Sequence, residues 1–335
     1  MKRVNGLFDR ILAWENLLAA THQASKGKRH RPETQAFSRA LTHNLVRIQD
    51  ELRSERFVFG RFHQFLIHDP KERLITAPSF EERVVHHAII NICEPYFERL
   101  LIADTFACRR GLGRLAALSR VMMHSRRDTH YLKIDVRKYF DSVHLGHLVA
   151  MLQRRFKDQR LLRLFESIIG AYRSDAGCGL PIGSLTSQHF ANFYLSDLDR
   201  FVKERLRVKG YVRYMDDCLL WGGSRADLNR WCRAIAGFLH ESLHLETKRP
   251  IMANVNRGID FLGARVFPDY MVLNRRSRRR YTRKMMDLTE QCRQGQISPA
   301  EFQRRSLSTS EFTCAGGVRS WKFRRDVLRF LVADD

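Results

Sequence analysis

Asp135, Asp216 and Asp217 are the residues of this sequence whose type and setting suit chemistry. The segment Tyr131-Leu-Lys-Ile-Asp-Val136 alternates with period two, which puts Tyr131, Lys133 and Asp135 on one face of a strand and Leu132, Ile134 and Val136 on the other. Tyr211-Val-Arg-Tyr-Met-Asp-Asp-Cys-Leu-Leu-Trp221 reads as strand, tight turn, strand, with Asp216 and Asp217 at the tip. If the strands lie side by side, the three carboxylates can hold divalent ions. Two such ions about 4 Å apart activate an attacking hydroxyl, steady the charge at phosphorus and support the leaving group in phosphoryl transfer. Magnesium takes oxygen ligands and keeps several waters, so a few carboxylates suffice. An Asp pair at a hairpin tip is also an ordinary solvated turn, and a strand Asp can be a satisfied structural partner.

The elements that must position these carboxylates follow from periodicity. Leu7, Ile11, Trp14 and Leu18 recur at helical spacing, and a second helix is expected over 33–53. Between them a basic loop, Lys26 to Arg31, is suited equally to gripping phosphate and to simple solvation. Residues 57–67 alternate as a strand does, 81–100 read as a buried helix, and 144–172 as further helix. A Gly/Pro-rich loop from Gly177 to Gly183 leads into a helix over about 185–206, whose stripe is Phe190, Phe193, Tyr194, Leu198 and Phe201. A helix over 225–243, strands over 245–273 and a basic, mostly helical tail from Arg275 complete the chain.

With 335 residues, 44% of them hydrophobic, the chain can bury a sizeable core. Its 59 Lys and Arg against 36 Asp and Glu leave a formal net charge of +23. Such self-repulsion is naturally offset by a polyanion, and nucleic acid leads, because neutralised phosphates release counterions. No basic helix shows the clean apolar face of an interfacial membrane binder, and no apolar run approaches a membrane span. Seven scattered cysteines, without a C-x-x-C pair, argue against a disulfide framework and against structural zinc. Asp9, Arg10 and Glu15 interrupt what would have to be a signal core, so a cytoplasmic protein is expected.

Seven motifs in order resemble those of reverse transcriptases: Arg73-Leu-Ile-Thr-Ala-Pro78, Phe106-Ala-Cys-Arg-Arg-Gly111, Leu132-Lys-Ile-Asp-Val-Arg-Lys-Tyr-Phe-Asp141, Gly179-Leu-Pro-Ile-Gly-Ser-Leu-Thr-Ser-Gln188, Tyr214-Met-Asp-Asp217, Leu245-Glu-Thr-Lys248 and Phe261-Leu-Gly263. They span residues 57–275, with weaker similarity at both ends. The resemblance implies an α+β right-hand polymerase fold: an N-terminal helical extension (1–55), fingers (56–130), a palm (131–270) whose antiparallel sheet carries the catalytic aspartates and which has a helical insertion about 144–176, and a short basic helical thumb (271–335).

It implies roles as well. Asp135 and Asp216 are the principal ligands of two Mg²⁺ ions, for which Mn²⁺ can substitute, and Asp217 completes the acidic cluster. Lys71, Arg73 and Arg109 match basic positions that hold the triphosphate or template; Arg suits bidentate phosphate contacts. Phe140 stands where the family has an aromatic gate against a ribose 2′-hydroxyl, and Lys248 resembles a lysine that approaches the nucleotide phosphates. Phe261, Leu262 and Gly263 resemble the primer grip, and Arg275, Arg276, Arg278, Arg279 and Arg280 would track duplex backbone.

Where most of the family has Pro-Gln-Gly followed by Ser-Pro, this chain has Pro181-Ile182-Gly183 and then Ser187-Gln188, which looks like the diversity-generating retroelement branch. Arg257-Gly-Ile-Asp-Phe-Leu-Gly263 and the short length fit that branch too. Ile182 removes an amide that could hydrogen-bond nucleotide or template, and a site with fewer fixed polar contacts discriminates base pairs less well. Ile182 and Gln188 are therefore the candidates for tuning fidelity; Ile182 simply packing the palm is the plain alternative. By resemblance the branch copies a structured template RNA through an RNA–DNA hybrid from dNTPs. It works with a small basic oligomeric accessory variability protein, makes adenine-mutagenised cDNA for mutagenic retrohoming, and is prokaryotic or phage-encoded. No nuclease motif follows the expected thumb. The rival readings are a defence-associated or retron reverse transcriptase and a non-catalytic RNA-binding scaffold.

Overall fold

The computed structural model describes residues 3–68, 72–172, 177–314 and 321–332. The first apolar stripe forms two helices instead of one. Ala13 leaves the helical region (ψ 136°), and Asn16 Nδ2 donates to the freed Ile11 carbonyl, separating α1 (Phe8–Ile11) from α2 (Trp14–Ser25). The helix expected over 33–53 also divides, at Ala40, into α3 (Pro32–Arg39) and α4 (Leu41–Arg53). The strand expected over 57–67 begins only at Phe62. Before it, the Arg56 and Phe57 amides turn back to the Glu51 carbonyl, and those of Gly60 and Arg61 donate to Glu82. Strands β1 (Phe62–Ile67) and β2 (Arg73–Pro78) pair antiparallel, Phe62 opposite Pro78.

Ser79 caps α5 (Phe80–Glu98) by accepting the Glu82 N–H, and the helix is buried along most of its length. There follow α6 (Arg114–Ser125), β3 (His130–Asp135), α7 (Tyr139–Ser142), α8 (Leu145–Arg155) and α9 (Gln159–Gly170). The helix expected over 185–206 becomes α10 (Leu185–Tyr194), α11 (Ser196–Arg200) and one π turn, Phe201–Arg205. The chain continues through β4 (Gly210–Tyr214), β5 (Asp217–Gly222), α12 (Arg225–Leu243), β6 (Ile251–Asn254), β7 (Ile259–Phe261), β8 (Ala264–Val266), β9 (Met271–Leu273), α13 (Arg275–Arg293), α14 (Pro299–Cys314) and α15 (Trp321–Val332).

The chain divides into two compact units. The first comprises 1–108, 135–207 and 233–248; the second comprises 109–134, 208–232 and 249–335. In the first, α5 packs against α1, α2, α3 and α10, with Val84, Val85, Ala88, Ile89 and Cys93 fully buried. Phe97 continues this core edge-on to Phe156 (5.6 Å) and Phe190 (6.1 Å). Asp158, buried, accepts the Leu7, Phe8 and Leu161 amides. Burial pushes its carboxyl up, but these backbone donors and Arg160 outweigh it and hold the pKa below the ordinary value.

In the second unit a four-stranded sheet runs in the order β4-β5-β3-β6, with β4 and β5 a hairpin and β6 antiparallel to β3. A second antiparallel sheet has the order β7-β8-β9, and α6 packs on both β4 and β8. Tyr281, Met285 and Val327, with Phe302 and Phe323, form the core of α13, α14 and α15. No helix among the described residues is long and apolar enough to cross a membrane.

Candidate active site

In the second unit, Tyr214 pairs with Asp217 across the β4–β5 hairpin, leaving Met215 and Asp216 as its two loop residues. Met215 takes φ +54°, a positive value that a two-residue hairpin connection requires at this position. For a side chain this region costs about 1–2 kcal/mol, so the surroundings must hold it. Arg213 does so: its guanidinium, fully buried within β4, donates to the Met215 carbonyl at 3.0 Å. Sequence reading passed over Arg213. The available signal was a lone cation inside a run otherwise suited to a buried strand.

Asp217, the first residue of β5, meets Lys133 of the neighbouring β3: Lys133 Nζ lies 2.9 Å from Asp217 Oδ2. The same ammonium donates to the Asp260 carbonyl at 3.0 Å and sits 5.6 Å from the centroid of the Phe261 ring. Phe261 itself is buried and pairs with Ala264, so Leu262 and Gly263 form a second two-residue hairpin, at φ +47° and +82°. Positive φ at both positions is the type I′ pattern, for which Gly263 is suited and Leu262 is not. Arg109, in the same unit, is half-buried, whereas Arg275, Arg276, Arg278, Arg279 and Arg280 are exposed where α13 begins, after the Asn274 cap.

The first unit holds Asp135, Lys248, Arg73, Phe140, Ile182 and Gln188. Residues 245–248 run beside 135–137: the Arg137 amide donates to the Glu246 carbonyl, and the Lys248 amide to that of Asp135. The Lys248 ammonium also reaches Asp135 Oδ1 at 2.7 Å. Tyr139 takes the buried position of the Tyr139-Phe140 pair and donates its hydroxyl to the Ala191 carbonyl, leaving Phe140 half-buried. The Phe140 carbonyl accepts the Leu180 amide at 2.7 Å, which ties the Gly179–Gly183 loop to α7. On its other side this loop is tied to β2, because the Thr76 amide donates to the Ile182 carbonyl at 2.7 Å. A Cβ on Gly183 (φ +125°) would lie 2.9 Å from the Ile75 side chain and 3.0 Å from the Thr76 carbonyl, so only glycine permits this approach. Arg73, in β2, is exposed. Gln188 accepts a hydrogen bond from the Cys108 thiol (3.6 Å), which burial holds above its ordinary pKa and thus protonated. Lys71 lies outside the described residues.

Behind the Ile182 loop is a second feature that sequence reading missed. His86 Nδ1 is 3.0 Å from Ser184 Oγ and 2.7 Å from Thr186 Oγ1, while its Nε2 lies 3.6 Å from Glu82 Oε1; all four residues are buried. Glu82 in turn accepts the Gly60 and Arg61 amides at 3.2 Å. The residue following Gly183 is thus fixed to α5. The hint in the sequence was a Glu and a His four apart on one face of an apolar helix.

The donor chemistry suits a hard divalent cation. Asp135 and Asp217 offer oxygen only, both are partly open to solvent, and each already faces an ammonium group. Among the described residues no three His, Cys, Asp or Glu side chains are gathered to hold an ion between them; lysine is what these two carboxylates meet.

The sequence profile of the family described as "Reverse transcriptase (RNA-dependent DNA polymerase)" matches residues 68–266, more than half of the chain. The "Uncharacterized 91 kDa protein in cob intron" of Schizosaccharomyces pombe is 28% identical over 166 residues, covering 47% of this chain and 20% of that protein. The chain thus spans about a fifth of that relative's length. "Protein YkfC" of Escherichia coli is 23% identical over 298 residues, covering 72% of this chain and 77% of the relative. Among solved structures, the fold is similar to that of apo telomerase from Candida tropicalis, at a TM-score of 0.50 and 11% identity, covering 82% of this chain and 62% of that one. With the mixed helix and antiparallel-sheet architecture of a right-hand polymerase and a profile match reaching from His68 through both acidic motifs to Val266, the chain belongs to the reverse transcriptase family.

Proposed function

We propose that the protein is an RNA-directed DNA polymerase that uses Asp135, Asp216 and Asp217 as its metal-binding carboxylates. The observation that carries this reading is topological: β5, whose first residue is Asp217, is the hydrogen-bonded neighbour of β3, the strand whose last residue is Asp135. Two Mg²⁺ ions, when bound, would supply an activated 3′-hydroxyl and charge stabilisation at the transferred phosphoryl group. The chain's own residues bind and orient. Arg73, Arg109 and Lys248 offer cations for the triphosphate, Lys71 would join them, and the half-buried Phe140 offers a ring against which a 2′-hydroxyl would clash. Phe261, Leu262 and Gly263 present a tight turn to the primer, and the five exposed arginines of α13 meet duplex phosphates. In domain terms we assign 1–55 as extension, 56–130 as fingers, 131–270 as palm and 271–335 as thumb.

Within the family we assign the chain to the diversity-generating retroelement branch, copying a structured template RNA into adenine-mutagenised cDNA. The Pro181-Ile182-Gly183 and Ser187-Gln188 pair supports this, as does the way Ile182 is held by its backbone while its half-buried side chain brings no polar group. A small basic accessory protein is the expected partner, with RNA as the shared polyanion that a +23 chain can accept. Six described cysteines are free thiols, in keeping with a reducing cytoplasm.

Primer extension on a defined RNA template with Mg²⁺, read by sequencing, tests both levels. Extension with errors concentrated opposite adenine, lost in Asp216→Ala, is expected. Accurate extension would keep the polymerase and remove the branch assignment, leaving a defence-associated or retron-like enzyme. No extension with RNA and accessory partner present would favour an RNA-binding scaffold.

A further inference from the structure

Lys133 touches two turns at once. Its ammonium carries three N–H donors and no acceptor. One direction is taken by the Asp217 carboxylate at 2.9 Å, a second by the Asp260 carbonyl at 3.0 Å, and the Phe261 ring lies 5.6 Å away. Asp217 closes the β4–β5 hairpin, while Asp260 and Phe261 belong to the strand that leads into the β7–β8 turn. Both turns carry a non-glycine residue at positive φ, Met215 and Leu262, and so depend on contacts outside themselves to keep their shape. These hairpins lie in separate sheets, and no strand pairing joins one sheet to the other among the described residues. The Lys133 side chain is only 19% exposed and Asp217 22%, so the link is shielded from solvent far more than a surface ion pair would be.

From this geometry we infer that Lys133 is a positioning residue that couples the acidic hairpin tip to the Phe261–Gly263 turn, so that the two keep a fixed spacing. The inference rests on the polymerase reading for its meaning, since the spacing would set the primer end against the acidic tip, but the coupling itself is a property of the folded chain. The cation matters as well as the tether. Lys133 neutralises Asp217 and keeps it directed toward β3, in the way that outer partners orient carboxylates around metal sites.

Amide hydrogen exchange on the full chain, followed by mass spectrometry, reads the coupling without any activity. Lys133→Met is expected to speed exchange in both 211–222 and 258–266, and Lys133→Arg to restore protection. Asp217→Asn is expected to speed exchange in 258–266 too, and to add nothing there once Lys133 is Met. Effects confined to 211–222, or additive effects of the two substitutions in 258–266, would overturn the inference. Thermal unfolding of each variant separates local loosening from global destabilisation. In the same samples, Lys133→Met is expected to weaken primer–template affinity in EDTA by about tenfold, equivalent to about 1.4 kcal/mol. Unchanged affinity with active wild type would count against the coupling. An inactive wild type would instead sink the polymerase reading and leave the exchange result to decide the inference.

Discussion

Lys248 holds Asp135 twice, donating its backbone N–H to the Asp135 carbonyl at 2.8 Å and its ammonium to Oδ1 at 2.7 Å. If Asp135 holds a metal ion as proposed, a lysine already on its Oδ1 has to move or share its proton donors when a triphosphate binds. Lys248→Met is expected to lower the single-turnover extension rate by about a hundredfold, within the range of a lost general acid, with primer–template affinity unchanged. Lys248→Arg should recover part of the rate. Equal rates for Met and wild type in rapid-quench measurements would remove Lys248 from the chemistry.

The Ile182 loop gives a fidelity prediction. Ile182→Asn places an amide where this chain has an aliphatic side chain, and under the proposed branch assignment misincorporation opposite adenine is expected to fall by about tenfold, the scale of one net hydrogen bond. His86→Ala acts on the same loop from behind, leaving Ser184, Thr186 and Glu82 short of a partner. A stability loss of about 1–3 kcal/mol is expected in denaturant unfolding, the usual cost of an unsatisfied buried polar group, together with a changed error spectrum. A destabilised variant with wild-type errors would show that His86 supports the fold and not the loop's role.

Acid should weaken the first unit before its carboxylates titrate. Burial lowers the pKa of His189 to about 4, and burial first, then repulsion from the neighbouring His86, Lys28, Arg83 and Lys26 side chains, lowers that of His87 to about 4. The unfolded chain takes up these protons near 6.5 and the folded chain does not, so stability rises with pH between about 4 and 6.5 and is flat above that window. Asp158, with its pKa held down, adds a loss below its ordinary 3.8. Unfolding midpoints measured from pH 4 to 8 should show the slope; Asn in place of His189 should flatten part of it.

The α13 arginines should act through salt. Replacing Arg275, Arg276 and Arg279 with Gln is expected to weaken duplex binding at every sequence and to reduce the log–log salt slope by about 2 to 3, near one for each phosphate that is no longer neutralised. An unchanged slope would mean that the duplex runs elsewhere.

Much of this was legible in the chain because it is local. Period-two alternation located β3, the acid pair located the β4–β5 turn, an apolar stripe located α10, and the expected helices over 81–100 and 225–243 correspond to α5 and α12. What escaped depended on particular side-chain-to-backbone and side-chain-to-side-chain partners. The break at Ala13 is closed by Asn16, and the delayed start of β1 reflects Glu82 accepting amides from Gly60 and Arg61, neither of which has a periodic signature. Arg213 and His86 escaped for the same reason: a buried cation or imidazole is costly until its acceptors are known, and those acceptors come from a hairpin carbonyl and from residues nearly a hundred positions away. The positive φ of Leu262 had no signal in composition, because a leucine does not mark a left-handed turn position.

The first turn of α13 has a consequence of its own. Four backbone N–H groups end there without helical acceptors, making it the positive pole of the helix macrodipole, and Arg275, Arg276, Arg278, Arg279 and Arg280 crowd five more positive charges onto or beside it. Each unfavourable charge at such a pole costs about 0.3–1 kcal/mol at low ionic strength. A phosphate backbone docked there attracts both the pole and the arginines and so offsets those terms. The start of α13 should therefore fray in dilute buffer and wind up when a polyanion docks, so that helix content at this one end reports whether such a polyanion is bound.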